Sequence, residues 1–232
     1  MSRLRAVLFD MDGTLVETEQ LWGEAMFELA AQLGGRMSDE ARAATVGTSM
    51  RTAMEILHAD IGIHRTEVEL HADAVWVEDR TAALMARGVS WCPGARELLT
   101  AVRAAGVPTA LVTTTPRRIA DIVLSAIRAD LGGDHFDVTV CGDEVPARKP
   151  DPAPYRQAMA ALGAAPGECV VIEDSQVGIA SGLAAGAAVL GVPSMQAVAP
   201  APGLTLREGL AGVDLDVLAE VLAARDLEDA SA

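Results

Sequence analysis

The sequence predicts an α/β protein, a doubly wound (Rossmann-like) parallel sheet opened by an inserted all-helical segment. Three observations predict it. From about Pro93 onward, short apolar runs that stop abruptly at polar residues alternate with helix-like stretches, the rhythm that strand–helix–strand units produce. From about Val16 to Gly88 the spacing is helical, with no convincing strand. The chain has 232 residues, 50% of them hydrophobic, enough for a core domain with a smaller insert. The expected division is residues 1–15 and 90–232 as the α/β core and residues 16–89 as the helical insert.

Each element has a local reason. Arg5 to Phe9 reads as a buried parallel strand because its apolar residues end at Asp10. In the insert, Leu21, Ala25, Met26, Leu29 and Leu33 recur at three- and four-residue steps, and Gly34-Gly35 stops them. Ser38-Asp39-Glu40 reads as the cap of another helix, followed by helical stretches from Met50 to His58 and Glu67 to Met85. A helix from Gly94 to Ala104 precedes an apolar run through Val107 to Val112, then Thr113-Thr114-Thr115-Pro116 and a further helix. Phe136 to Val140, Cys169 to Ile172 and Ala188 to Val192 read as strands, with helices near Pro152 to Leu162 and Ser175 to Ala185. A last amphipathic stretch covers Leu215 to Leu222, and the tail from Asp226 is expected to fray.

Charge and composition narrow the function. A net charge of −15 argues against nucleic acid or an anionic membrane, because both require clustered cations. A small anionic substrate stays open, since a metal ion and one local cation reverse the sign within a site. No apolar run approaches the roughly 18–20 residues of a membrane span, and the run after the basic start is too short for a signal-peptide core. Three cysteines (Cys92, Cys141 and Cys169) without ligand spacing suit a reducing compartment, so a cytoplasmic location is expected. Cys92 and Cys169 are expected to pack in or beside the core. The four histidines, His58, His64, His71 and His135, also lack ligand spacing and are expected at the surface.

Ligands of open α/β sheets bind at the carboxyl ends of the strands, so the residues just beyond each strand decide the chemistry. After the first comes Asp10-Met11-Asp12-Gly13-Thr14. Its two carboxylates lie two residues apart, on one side of an extended segment, and their repulsion favours a bound cation. The same residues also read as an acidic turn capping the next helix. The second strand ends in Thr113, which could hold an anionic oxygen or simply cap the helix at Pro116. Lys149, in Arg148-Lys149-Pro150-Asp151-Pro152, is the only lysine beside seventeen arginines, which points to a need for a compact ammonium there. Another strand runs into Glu173-Asp174-Ser175, two further carboxylates ahead of a helix. Four acids, one lysine and a hydroxyl make a set suited to Mg²⁺ and phosphate.

That order of motifs resembles the haloacid dehalogenase superfamily, in its phosphatase and β-phosphoglucomutase-like branch with a small helical cap inserted after the first motif. The resemblance runs from Ala6 to about Val192 and matches all four motifs, at Asp10 to Thr14, Thr113, Lys149 and Glu173-Asp174. It implies a Mg²⁺-dependent phosphatase of a small phosphomonoester such as a sugar phosphate or phosphoglycolate. Asp10 would be the nucleophile and a metal ligand, and Asp12 the general acid and then base, ligating Mg²⁺ through its carbonyl. Thr113 and the Thr114 amide would hold the phosphoryl group, Lys149 would neutralise charge, and Asp174 and Glu173 would complete the metal site. Remaining substrate contacts would come from the cap, where Gly47-Thr48-Ser49-Met50-Arg51 offers Arg51 as a substrate-binding residue or an ordinary helix-capping turn.

Within the superfamily, Asp12 speaks against a dehalogenase, and the lack of a cap lysine against phosphonoacetaldehyde hydrolysis. A β-phosphoglucomutase would place a histidine on the first cap helix, where this chain has Trp22. Water is therefore the expected phosphoryl acceptor, with phosphomutase as the alternative and a catalytically silent binding protein as a remote one. The expected partner is a small phosphorylated metabolite, and a monomer is expected over a dimer.

Overall fold

The computed structural model describes residues 3–193 and 197–229. They fall into two compact units, one built from residues up to Val16 and from Trp91, the other from Glu17–Ser90. The first holds a six-stranded sheet, all of whose neighbours pair in parallel: β1 (Ala6–Phe9), β2 (Thr109–Val112), β3 (Val138–Val140), β4 (Cys169–Glu173), β5 (Ala188–Gly191) and β6 (Leu204–Leu206). Their order across the sheet is β3-β2-β1-β4-β5-β6, the doubly wound arrangement expected from the alternating pattern.

Every residue of β1, β2, β4 and β5 is buried. That is why these strands read as unbroken apolar runs rather than as alternating ones. Ala6, Leu8, Ala110, Val112, Cys169, Val171 and Val189 form one core with α7 (Ala153–Leu162) and α8 (Gln176–Ala184), through Tyr155, Ala158, Met159 and Ile179. Residues of the other parity, among them Val7, Phe9, Leu111 and Ile172, are fully buried as well, so both faces are covered. The remaining helices of this unit are α5 (Ala95–Ala104), α6 (Arg117–Leu131) and α9 (Leu215–Asp229).

Two elements differ from expectation. β6 is too short and too exposed to carry a periodic signal, and only its pairing with β5 makes it a strand. The tail does not fray at Asp226: α9 continues to Asp229, carried by helix formers with no glycine or proline to stop it. Residues 230–232 of that tail lie outside the described ones.

The second unit contains four helices, α1 (Glu19–Gln32), α2 (Asp39–Thr45), α3 (Met50–Asp60) and α4 (Glu67–Met85). Three of them open on side-chain caps at Ser38, Ser49 and Thr66, the last completed as a capping box by Glu69. Trp22, Met26, Leu29, Met54, Leu57 and Val77 are buried in it. Among the described residues, no helix is long and apolar enough to cross a membrane.

Candidate active site

The sheet order places the site. β1 pairs with β2 on one side and β4 on the other, so the chain's connections diverge at β1 and leave a crevice beyond its carboxyl end. Phe9 stands in register with both Leu111 and Ile172. The next residues outward are therefore Asp10 on β1, Val112 and Thr113 on β2, and Glu173 on β4. Gly13 takes φ 79, a left-handed turn that admits glycine readily and ends the extended segment carrying Asp10 and Asp12.

Lys149 is the hub. Its ammonium donates to Asp10 Oδ1 at 2.6 Å, Glu173 Oε1 at 2.5 Å and the Val112 carbonyl at 2.8 Å, which uses all three of its hydrogens. The side chain is 2% exposed. Glu173, fully buried, also accepts from the Tyr155 hydroxyl at 2.6 Å on Oε1 and from Ser175 at 3.2 Å on Oε2. α8 comes close here because Gly178 has no side chain. A Cβ at that position would stand 2.0 Å from the Glu173 carboxylate.

Asp12 is held from the β2 side. Its Oδ2 accepts from Thr115 Oγ1 at 2.7 Å and from Thr113 Oγ1 at 3.2 Å, while Thr113 Oγ1 accepts the Thr115 amide at 3.0 Å. Thr114 lies half-buried between them, and its carbonyl packs on Gly142, where a Cβ would be 2.0 Å from the Thr114 oxygen. Thr14 Oγ1 lies 3.5 Å from Asp174 Oδ1, a long contact between the first and last motifs.

Burial, followed by the negative charge of Glu173, pushes the Asp10 carboxyl up to about 8 against the pull of Lys149. For Lys149, burial works toward a lower value, but the Asp10 and Glu173 carboxylates outweigh it and hold the ammonium above its ordinary range. Two carboxylates, Asp10 and Glu173, share the one ammonium, and Asp174 lies beside them, so negative charge is in excess. Asp10, Glu173 and Asp174 each offer an oxygen within 4.8 Å of the others. Hard oxygen donors this close, short of positive charge, fit a divalent cation such as Mg²⁺.

The structure thus brings Asp10, Asp12, Thr113, Thr114, Lys149, Glu173 and Asp174 to one edge of the sheet. Arg51 belongs to the other unit, where its guanidinium pairs with both oxygens of Glu67 at 2.6 and 2.7 Å and with Glu55 at 3.0 Å. Ser49 caps α3 beside it by accepting from Thr52 N, the helix-capping alternative for that loop. Trp22 is buried in the same unit. His58 corrects the expectation of surface histidines. It is 4% exposed, with Nε2 3.0 Å from Asp73 Oδ2 but out of line for a hydrogen bond, while Arg65 grips Asp73. Residue spacing gives no sign of this, because the contact joins two helices. Sequence reasoning also missed Tyr155, Thr115 and the Ser175 hydroxyl as parts of the site. The signal open to it was that Tyr155 is the only tyrosine.

Fold and site together are those of a hydrolase built on a doubly wound sheet. The family profile of haloacid dehalogenase-like hydrolases matches residues 4–186. The chain is 34% identical over 198 residues to the protein CbbY of Rhodobacter capsulatus, covering 82% of this chain and 86% of that one. It is 33% identical over 183 residues to the phosphorylated carbohydrates phosphatase of Thermotoga maritima, covering 79% and 82%. The crystal structure of a mutant CbbY from Rhodobacter sphaeroides with xylulose bisphosphate superposes with a TM-score of 0.75 at 28% identity, over 93% of this chain and 99% of that one. The chain belongs to the haloacid dehalogenase-like hydrolase family, and it is a phosphoric monoester hydrolase.

Proposed function

We propose that the chain hydrolyses a small phosphorylated sugar through a phosphoryl group carried transiently on Asp10. One observation carries the reading: the only lysine of the chain places its ammonium 2.6 Å from Asp10 Oδ1, with Asp12 two residues further along the same segment and Thr113 at the end of the adjoining strand. The Asp10 carboxylate attacks phosphorus and the bond to the sugar oxygen breaks, while Asp12 delivers a proton to that oxygen. Asp12 then takes a proton from the incoming water, whose oxygen displaces Asp10 and frees phosphate. Thr113 and the Thr114 amide hold the phosphoryl oxygens, and Lys149 offsets the negative charge gathering between them and Asp10.

The oxygen donors of Asp10, Glu173 and Asp174, with the Asp12 carbonyl, would hold Mg²⁺. When bound, the ion would screen the charge that otherwise keeps an anionic phosphoryl group from an anionic carboxylate. In this reading residues 1–15 and 90–232 are the catalytic domain and residues 16–89 the cap. The sugar assignment is supported by the phosphorylated-carbohydrate phosphatase and by the bisphosphate held by CbbY. Water as the final acceptor is supported by two features of the sequence: residues 16–89 contain no lysine, and α1 contains no histidine.

The test is phosphate release from a panel of sugar, sugar-alcohol and glycolate monoesters, with Mg²⁺ or with chelator, by wild type and Asp10→Asn. Release that needs Mg²⁺ and vanishes in Asp10→Asn is expected. Release that survives in Asp10→Asn would overturn the assignment of the nucleophile.

A further inference from the structure

Tyr155 is distant in sequence from the Asp10 and Thr113 motifs, yet its hydroxyl lies inside the site. Its side chain is fully buried, and its hydroxyl donates at 2.6 Å to Glu173 Oε1, the same oxygen that receives Lys149 at 2.5 Å. The ring lies under the Lys149 ammonium, 5.0 Å from its centroid, within cation–π range. We propose that Tyr155 is a positioning residue: its hydroxyl engages Glu173 so that the Lys149 ammonium stays shared with Asp10.

The two carboxylates compete for one ammonium. Lys149 divides its hydrogens among Asp10, Glu173 and the Val112 carbonyl, so any gain in its attraction to Glu173 is taken from Asp10. Glu173 is met by donors on both oxygens, Tyr155 with Lys149 on one and Ser175 on the other. Each donor accommodates part of the carboxylate's charge. Without the phenol, Oε1 meets Lys149 alone in a site closed to water, and the ammonium is drawn toward Glu173. Phenylalanine keeps the ring beneath the ammonium and removes only this donor, so the hydroxyl can be tested by itself. Burial holds the phenol well above its ordinary range, so it remains protonated.

The proposal rests on the reading of Asp10 and Lys149 given above, and two features of the composition let it be tested apart from that reading. The chain has one lysine and one tyrosine. Lysine labelled with nitrogen-15 at Nζ therefore reports on Lys149 alone, and fluorotyrosine supplied during expression replaces Tyr155 alone. Fluorination makes the phenol a stronger donor, and so acts opposite to Tyr155→Phe. The full-length chain is compared in its normal, Tyr155→Phe and fluorotyrosine forms by the Nζ resonance, with chelator and with Mg²⁺, and by kcat and KM on the fastest ester of the panel.

The expected result is an Nζ resonance displaced one way by Tyr155→Phe and the other way by fluorotyrosine. A fall in kcat of about tenfold in Tyr155→Phe is expected with it, as for other outer partners of a site, with KM within about twofold. An Nζ resonance at the wild-type position in both altered chains overturns the proposal. So does a displaced resonance accompanied by unchanged kcat, which would mean that the placement of Lys149 by Tyr155 does not serve the reaction. If Tyr155→Phe does not fold, the fluorotyrosine form decides by the same two measurements. A wild type that releases no phosphate overturns the phosphatase reading, and the resonances still decide whether Tyr155 positions Lys149.

Discussion

Replacing Gly178 by alanine ought to stabilise a helix, and here the opposite is expected. Alanine in place of glycine within a helix gains about 1 kcal/mol. At Gly178 the added Cβ would sit 2.0 Å from the Cδ and both oxygens of Glu173, where ordinary contact begins near 3.4 Å. The carboxylate has to retreat on the order of 1.5 Å. That carries its oxygens beyond hydrogen-bond reach of donors now at 2.5 Å (Lys149), 2.6 Å (Tyr155) and 3.2 Å (Ser175). Hydrogen bonds to a charged group contribute about 1.5–3 kcal/mol each. Counting only the two short bonds, from Lys149 and Tyr155, and subtracting the helix gain leaves a net destabilisation of about 2–5 kcal/mol. For a chain of this length that lowers Tm by roughly 4–20 °C. Guanidinium and thermal unfolding in the presence of chelator, so that bound metal adds nothing, measure the difference. A Gly178→Ala chain as stable as wild type, or more stable by up to about 1 kcal/mol, would refute the claim that α8 closes directly onto Glu173.

The geometry sets three further outcomes. Thr115→Val removes the 2.7 Å bond to Asp12 Oδ2; kcat is expected to fall about tenfold with KM little changed, as for the loss of an outer partner, and a raised KM with kcat unchanged would assign Thr115 to substrate binding instead. Arg51→Ala is expected to leave KM for the panel substrates within about twofold, because the exposed guanidinium is already engaged by Glu67 and Glu55; a larger rise in KM would make it a substrate contact. All three cysteines are buried, and burial pushes the Cys141 and Cys169 thiols up to about 12. At pH 8 the folded chain is expected to leave Ellman's reagent unreacted, and the unfolded chain to react at all three. For these thiols the folded state keeps protons that the unfolded chain releases. Folding stability therefore falls as pH rises above about 8.5, where only the unfolded chain loses the protons, and the loss levels off near 12. Fast titration of the folded chain at pH 8 would show the burial to be wrong.

Much of this protein is legible along the chain because the signals are local. β1, β4 and β5 are apolar runs whose burial on both faces leaves no polar alternation. α4 begins and ends as its pattern indicates, at Glu67 and Met85, since Thr66 and Glu69 form a complete capping box. Asp10, Asp12, Thr113 and Glu173 sit at strand ends because a doubly wound sheet presents its ligand residues there, and strand ends can be read as the points where apolar runs meet charge.

The class of fold, the acid–hydroxyl–lysine set and the chemistry such a set can perform were thus all present in the linear chain. Each depends on residue type and on neighbours within a few positions. Which groups share a hydrogen bond was settled by the packing of distant elements. Tyr155 and Gly178 close around Glu173 from two different helices, and Thr115 turns back onto Asp12 across 103 positions. His58 meets Asp73 between α3 and α4, and Leu204–Leu206 becomes a strand by pairing with β5. One cause accounts for all of these. A burial pattern records that a side chain leaves water, whereas its partner inside is set by how separate elements pack, and that information is carried by no single stretch of chain.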